Sequence, residues 1–152
     1  MKYLYSKIIN IDNLASLELF AKKLNNKLVN GDTVLLTGDL GAGKTTLVKF
    51  IAKENNVKDK VISPTFNIMK IYLSGNRPIV HIDAYRLNES NIDIGLEEYI
   101  GTNRGITFIE WPYFIEEYIP LNNILIEINN PNNDDSRIIT IKTNKIDLLE
   151  DF

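Results

Sequence analysis

The stretch GDLGAGKT, residues 38–45, constrains the fold of this chain more than any other part of its sequence. Its glycines let backbone N–H groups wrap around phosphate oxygens, and a helix that begins directly after them adds the positive end of its dipole. The apolar run DTVLLTG before the stretch predicts a buried strand, and the apolar spacing after it predicts a helix over 44–54. This order of strand, glycine loop and helix is that of a phosphate-binding loop, the Walker A motif.

Each position of this loop has a predicted part in binding a nucleotide. We expect Lys44 to neutralise the β and γ oxygens of a triphosphate, and the Thr45 hydroxyl to reach a magnesium ion. Magnesium also fits the composition: the chain has no cysteine and one histidine, so a metal must be held by oxygen atoms. The predicted nucleotide-binding set further includes Gly38, Asp39, Leu40, Gly41, Ala42, Gly43 and Thr46.

Two carboxylates follow apolar strands later in the chain and are candidates for the chemistry. Asp83 comes after PIVHI and Glu110 after ITFI, where open α/β sheets place the groups that face a ligand. Phosphoryl transfer needs an acidic group to hold the magnesium shell and a second group to place the attacking water or hydroxyl. For either residue taken alone, the alternative is a solvated carboxylate at a strand end.

Four further residues have both a functional and a structural interpretation. Thr65, in SPTF, follows a proline that fixes the backbone; it is either a switch threonine that faces the γ-phosphate or a turn residue. His81 alternates with Asp83 on one strand face and is either an orienting residue or, as is more usual for a lone histidine, a structural one. Trp111 is either a core residue or a cover for the nucleotide site. Arg86 either contacts a phosphate or a partner's acid, or forms a surface ion pair.

The remaining pattern predicts one domain over residues 1–152. A strand over 3–9 and a helix that starts after Asp12 precede the phosphate loop, and FNIMKIYL with PIVHID forms a predicted antiparallel hairpin around SGNR. ILIEI and RIITIK read as a closing pair of alternating strands. We therefore expect an α/β protein of the P-loop NTPase fold: a single mixed β-sheet flanked by helices, with an antiparallel C-terminal hairpin.

The composition limits the partners. The net charge is -3, so the surface as a whole lacks the basic field on which non-specific nucleic-acid binding depends. No apolar run approaches the roughly 18 residues that indicate a membrane span, and the start has no run long enough for a secretory signal. We expect a cytoplasmic protein with no membrane partner.

A second nucleotide motif stands near the C-terminus, where residues 144–147 read NKID, the NKxD pattern that recognises guanine in GTPases. A GTPase also needs DxxG after the phosphate loop, but Asp83 begins DAYR and Asp93 begins DIGL. Five residues follow Asp147, too few for the helix and strand that hold such a loop. We therefore interpret NKID as a chance match.

Beyond the phosphate loop, an ordered set of motifs resembles a known family. GDLGAGKTTL, SPTF, HIDAYRL, GLEEYI and IEWP, in this order, resemble the TsaE family, also called YjeE, the small P-loop ATPases of bacterial tRNA threonylcarbamoyladenosine synthesis. The similarity runs from the first strand to about Ile128. HxDxYRL followed by EWP is far more specific than the phosphate loop alone.

The resemblance implies an ATPase that binds ATP and Mg²⁺ and works with the TsaB and TsaD proteins, which build the threonylcarbamoyl group onto adenosine 37 of tRNAs that read ANN codons. It implies low activity alone, activation by these partners, and contact with tRNA only through the complex. Position by position, it implies that Thr45 and Glu110 hold magnesium and that Asp83 orients water or acts as base. Thr65 is the implied switch threonine, and Trp111 the implied neighbour of the nucleotide.

Two other functions stay open on the residues alone. A small-molecule P-loop kinase usually closes an arginine-bearing lid over its substrate, whereas the arginines here are few and scattered, at 77, 86, 104 and 137. A non-hydrolytic assembly module would use ATP as a ligand that orders the SPTF and DAYRL loops into a docking surface.

Overall fold

The computed structural model describes residues 2–64, 67–89, 95–102 and 104–152. Within these ranges the chain forms two α-helices, α1 (Leu14–Lys27) and α2 (Lys44–Glu54), and four short 3₁₀ helices at Tyr85–Glu89, Leu96–Glu98, Pro112–Tyr118 and Ile146–Leu149. The strands are β1 (Tyr5–Ile11), β2 (Thr33–Thr37), β3 (Met69–Tyr72), β4 (Ile79–Asp83), β5 (Ile106–Glu110), β6 (Ile124–Asn129) and β7 (Arg137–Thr143). None of the helices described is long and apolar enough to cross a membrane.

The seven strands form one mixed sheet in the order β1-β7-β6-β2-β5-β4-β3. β2 pairs in parallel with β5 and with β6, and β4 pairs in parallel with β5. The outer pairs, β3 with β4, β6 with β7 and β1 with β7, are antiparallel. Both predicted hairpins and the mixed sheet are therefore confirmed, and the carboxyl ends of β2, β4 and β5 meet at one edge.

The helices cover one face of the sheet because their apolar residues repeat at helical spacing. In α1 the buried residues are Leu17, Phe20, Ala21 and Leu24, and in α2 they include Leu47 and Ile51. They pack with Val34 and Leu36 of β2 into the main core, where each fully buried aliphatic side chain contributes about 1.5–3 kcal/mol. A smaller core on the other face contains Leu35, Ile82, Ile109 and Ile115.

Helix α2 begins and ends at the residues that the sequence predicts, whereas the limits of β1 and α1 differ from the prediction. β1 runs to Ile11, because Asn10 and Ile11 continue the antiparallel pairing with β7. The helix cap is consequently Asn13 and not Asp12: Asn13 is extended, and its side chain accepts a hydrogen bond from the Ser16 N–H at 2.9 Å. The helix stops at Lys27, and the N–H of the C-cap residue Leu28 donates to the Leu24 carbonyl.

The NKID segment lies at the opposite end of the sheet from the phosphate loop. Lys145 forms an ion pair with Asp32, which directly precedes β2, whereas the phosphate loop follows that strand. The Asn144 side chain accepts a hydrogen bond from the Leu4 N–H at 2.9 Å. Both polar side chains thus hold the tail to the domain, which supports the interpretation of NKID as a chance match.

Candidate nucleotide-binding site

The loop between β2 and α2 follows a backbone path that requires glycine. Gly38, Gly41 and Gly43 have φ angles of 146°, 79° and 117°, in the region that side chains rarely adopt. A Cβ atom at Gly38 would overlap the carbonyl oxygen of Ile128, whereas one at Gly41 would meet nothing within 4 Å. The loop is thus packed against β6 at its start and open at its centre, as a cradle for phosphate oxygens must be.

The Lys44 side chain lies under this loop and is 5% exposed. Its ammonium group donates hydrogen bonds to the carbonyl oxygens of Gly38 at 2.6 Å and Asp39 at 3.1 Å. It also lies 4.6 Å from the centre of the Trp111 ring, within the range of a cation–π contact. Burial lowers the pKa of Lys44, and the nearby carboxylates of Glu110, Asp83 and Asp39 act in the opposite direction.

Thr45 and Glu110 meet at the centre of the site. The Thr45 hydroxyl is 3.0 Å from Oε2 and 3.2 Å from Oε1 of Glu110, whose side chain is buried at the end of β5. Hydroxyl and carboxylate oxygens suit Mg²⁺, which usually takes one or two protein ligands and completes its shell with water and phosphate. No cluster of three or more His, Cys, Asp or Glu that could hold a metal occurs among the described residues.

Asp83 lies opposite Glu110 in the parallel pairing of β4 with β5 and is 5% exposed. Its two carboxylate oxygens have separate partners: Oδ1 accepts from the Tyr85 N–H at 3.1 Å, and Oδ2 accepts from the Ser63 hydroxyl at 3.3 Å. The carboxylate is therefore fixed at the edge of the sheet beside the Thr45–Glu110 pair.

His81 is fully buried and contacts Glu110 rather than Asp83, the residue that its place in the sequence suggested. Its Nε2 lies 2.6 Å from Oε2 of Glu110. The tautomer of the ring decides which atom donates in this contact, and the tautomer protonated on Nε2 is the one that can donate to a carboxylate oxygen.

Trp111 follows Glu110 directly and has φ 57° and ψ 54°, a conformation that is uncommon for a large side chain. Its ring is 5.2 Å from that of Tyr85 and 6.4 Å from that of Tyr113, centre to centre. This position over Lys44 favours the interpretation of Trp111 as a cover for the site over its interpretation as a core residue.

These residues enclose one cleft of about 290 Å³. It is lined by Leu40, Gly41, Gly43, Lys44, Thr45, Thr46, Ser63, Asp83, Glu110 and Trp111. Thr65 lies outside the described residues. Arg86 is exposed on the 3₁₀ helix after β4 and is not among the lining residues.

A second cleft, of about 220 Å³, adjoins the first on the other side of the phosphate loop, and sequence reasoning missed it. The two share Gly41, Gly43 and Thr46, and the rest of the lining is Ile11, Asn13, Leu14, Leu17, Ala42, Asp135 and Arg137. The Arg137 guanidinium donates from Nε to the Ala42 carbonyl at 2.7 Å, so β7 supports the loop from behind. The exposure of Leu14 at the start of α1 is visible only in the structure, so the sequence gives no signal of this cleft.

Three features define this chain as a protein of the P-loop NTPase fold. They are the mixed sheet, the glycine loop that joins β2 to α2, and the paired acidic side chains at the ends of β4 and β5. This confirms the fold class that the sequence predicts.

Comparison with known proteins gives the family. The family model for threonylcarbamoyl adenosine biosynthesis protein TsaE matches residues 11–139, so the chain belongs to the TsaE family. The tRNA threonylcarbamoyladenosine biosynthesis protein TsaE of Bacillus subtilis (strain 168) is 39% identical over 120 residues, which are 78% of this chain and 75% of that protein. The protein of the same description from Rickettsia typhi is 40% identical over 138 residues, 88% and 91% of the two chains. The crystal structure of Bacillus subtilis YdiB superposes with a TM-score of 0.79 at 31% identity, over 95% of this chain and 90% of that one.

Proposed function

We propose that this protein is a Mg²⁺-dependent ATPase that supports the TsaB and TsaD proteins in threonylcarbamoylation of adenosine 37 in tRNAs that read ANN codons. The observation that carries the ATPase assignment is the convergence of Thr45, Glu110 and Asp83 in the cleft above Lys44. Membership of the TsaE family supports the tRNA-modification pathway.

In this proposal the loop amides, the amino end of α2 and the Lys44 ammonium bind the phosphates. The Lys44 ammonium group lies beneath the loop, where it donates hydrogen bonds to the carbonyl oxygens of Gly38 and Asp39. When a nucleotide binds, phosphate oxygens would replace these carbonyl oxygens as its hydrogen-bond acceptors. Thr45 and Glu110 would hold the magnesium ion. A bound magnesium ion neutralises charge that develops on the phosphate oxygens.

Asp83 is the proposed residue that orients the attacking water or accepts its proton. Ser63 and the Tyr85 N–H hold the carboxylate in place, and a fixed carboxylate is what positioning a water requires. Thr65 follows Ser63 closely in the chain and remains the proposed switch residue.

The second cleft is the proposed site of the adenosine part of the nucleotide. It shares Gly41, Gly43 and Thr46 with the phosphate cleft, and its wall at the start of α1 is apolar, with Leu14 and Leu17. Ligand pockets generally combine such apolar walls with a few polar groups, which Asn13 and Arg137 offer here.

Exposed apolar side chains around the first cleft support activation by partner proteins. Leu40 is 93%, Tyr85 55% and Tyr113 53% exposed. Tyr85 and Tyr113 both pack against the Trp111 ring beside the cleft. Exposed apolar clusters are typical of protein interfaces, and a partner that covers the cleft would exclude water from it. We place this complex in the cytoplasm, with tRNA reached through the partners.

The test is ATP hydrolysis by the protein alone and with TsaB plus TsaD, together with multi-turnover tRNA modification. We expect slow release of free phosphate alone, faster release with the partners, and loss of both in Glu110→Ala. Full repeated modification with a non-hydrolysable ATP analogue would instead support the assembly module. Transfer of the γ-phosphate to a metabolite would support a kinase.

A further inference from the structure

His81 is a buried polar side chain to which the proposed ATPase mechanism gives no role. It is 0% exposed and therefore does not touch a ligand in either cleft, nor does it line one of them. Among the described residues, the hydrogen bond of its ring is the 2.6 Å contact from Nε2 to Oε2 of Glu110. In the part of the chain that the structure describes, Nδ1 is buried and has no hydrogen-bond partner.

This environment selects one form of the ring. A proton on Nδ1 would be a buried donor without an acceptor, which is unfavourable, whereas a proton on Nε2 is donated to the carboxylate. The ring is thus set to donate from Nε2 towards Glu110.

The contact also distinguishes the two oxygens of Glu110. Within the described residues, Oε2 lies near both His81 and Thr45, at 2.6 and 3.0 Å, whereas Oε1 has only the Thr45 contact, at 3.2 Å. If the Thr45 hydroxyl turns to a metal, His81 still holds Oε2, and Oε1 is the oxygen left to face the cleft.

We propose that His81 is a positioning residue for Glu110: its Nε2–H fixes Oε2 and thereby directs Oε1 towards the magnesium shell. The proposal rests on the role of Glu110 in the proposed function. Groups that orient a metal-binding side chain commonly contribute 10- to 100-fold in metal affinity or activity, so about tenfold is the effect we expect here.

The first experiment reads the hydrogen bond without any activity. The chain has one histidine, so the imidazole signals in a ¹⁵N NMR spectrum need no assignment by mutation. We expect the tautomer protonated on Nε2, a slowly exchanging Nε2 proton, and loss of that slow exchange in Glu110→Ala. A ring protonated on Nδ1, or a signal that Glu110→Ala leaves unchanged, would overturn the proposal.

The second experiment separates positioning from packing. His81→Leu keeps a side chain of similar size but removes the donor, and His81→Gln restores an N–H donor. Ile79→Ala is the matched control, because Ile79 is fully buried on the same face of β4, two residues before His81. For each variant, ADP binding is titrated with Mg²⁺ by calorimetry, and the melting temperature is measured without nucleotide.

We expect His81→Leu to raise the Mg²⁺ concentration at half-maximal ADP binding about tenfold. In His81→Gln this concentration should stay within about threefold of the wild-type value. Ile79→Ala should lower the melting temperature and leave the Mg²⁺ dependence unchanged. An unchanged Mg²⁺ dependence in His81→Leu would overturn the role of His81 while leaving the ATPase proposal intact. Wild-type protein that binds Mg²⁺ and ADP but never hydrolyses ATP would overturn the ATPase proposal alone. Should His81→Leu not fold, His81→Gln and the NMR spectrum decide the matter.

Discussion

The Thr45 hydroxyl lies 3.0 Å from the Glu110 carboxylate and joins the first turn of α2 to the end of β5 across 65 residues of sequence. The contact gives a buried carboxylate a hydrogen-bond donor before any ligand binds, and unpaired buried charges are costly. It also brings together the two oxygen groups that a magnesium ion would need.

Glu110→Gln removes the charge and keeps the size of the side chain. We expect the affinity for ADP in the presence of Mg²⁺ to fall about 10- to 100-fold, because a neutral amide is a poor ligand for a hard cation. The affinity measured in EDTA should change little, since the loop and Lys44 remain. Calorimetric titration with and without Mg²⁺ checks this, and Glu127→Gln, whose ion pair with Lys142 lies on β6 and β7, is the control. An equal loss in both buffers would contradict the assignment.

Asp83→Asn should separate binding from hydrolysis. The amide oxygen of the variant can still accept from the Tyr85 N–H, and its NH₂ group can donate to the Ser63 hydroxyl, so the local structure survives. The asparagine cannot take up a proton, and removal of a general base typically lowers the rate about 10²- to 10⁴-fold. Single-turnover hydrolysis should fall by that order while ADP affinity stays within about threefold. Hydrolysis at the wild-type rate would exclude Asp83 as base.

Leu14 tests the second cleft. It is 60% exposed at the start of α1, so Leu14→Ala should scarcely affect stability. If the adenosine packs against it, the variant loses about 1 kcal/mol of apolar contact, which is roughly a fivefold weaker affinity for ADP. The affinity for inorganic tripolyphosphate, which has no base, should not change. Leu19→Ala, on the same helix and 54% exposed, does not line the cleft and should leave both affinities as they are.

Features of this fold that depend on residues close together in the sequence are predictable, whereas features that depend on residues far apart in the sequence are not. The phosphate loop and the limits of α2 are set by neighbouring glycines and by apolar spacing, so they are predictable. The cap of α1 is not, because Asp12 and Asn13 are both good caps, and the choice follows from where β1 stops pairing with β7.

The candidate site shows the same division. Asp83 and Glu110 are found from their places after apolar strands, yet the pairing of β4 with β5 is what sets them side by side. The partner of His81 is a neighbour across that pairing, 29 residues away, and alternation along one strand pointed to the wrong carboxylate. The left-handed backbone of Trp111 is likewise unpredictable, because large side chains rarely adopt it.

Lys145 tests the NKID motif. Its ion pair with Asp32 involves a carboxylate that is 7% exposed and also accepts from the Val29 N–H at 2.8 Å. Lys145→Ala should lower the free energy of unfolding by about 1–3 kcal/mol, because it removes the ion-pair partner of a buried carboxylate. It should not change the preference for adenine over guanine nucleotides. Urea unfolding and parallel titrations with ADP and GDP measure the two effects, and a changed base preference would revive the GTPase interpretation.

Arg77 joins the ends of both helices to the turn before β4. Its guanidinium donates to the side chain of Asn55 at 3.0 Å, to the carbonyl of Leu28 at 2.8 Å, and to the carbonyl and side chain of Asn25 at 3.1 and 2.8 Å. Burial lowers the pKa of Arg77, which nevertheless remains a cation at any ordinary pH.

Arg77→Ala should therefore lower the free energy of unfolding by about 3 kcal/mol, because several acceptors, including those on the buried residues Leu28 and Asn55, lose their donor together. Arg77→Lys should recover only part of this, since an ammonium group lacks the planar fork that reaches several acceptors at once. Arg104→Ala, at an exposed position before β5, is the control and should change stability by less than about 0.5 kcal/mol. Arg77 lies at the end of the sheet opposite the phosphate loop, so ADP affinity below the melting temperature should be unaffected in all three variants. A specific loss of ADP affinity in Arg77→Ala would show that the helix ends and the nucleotide site are coupled.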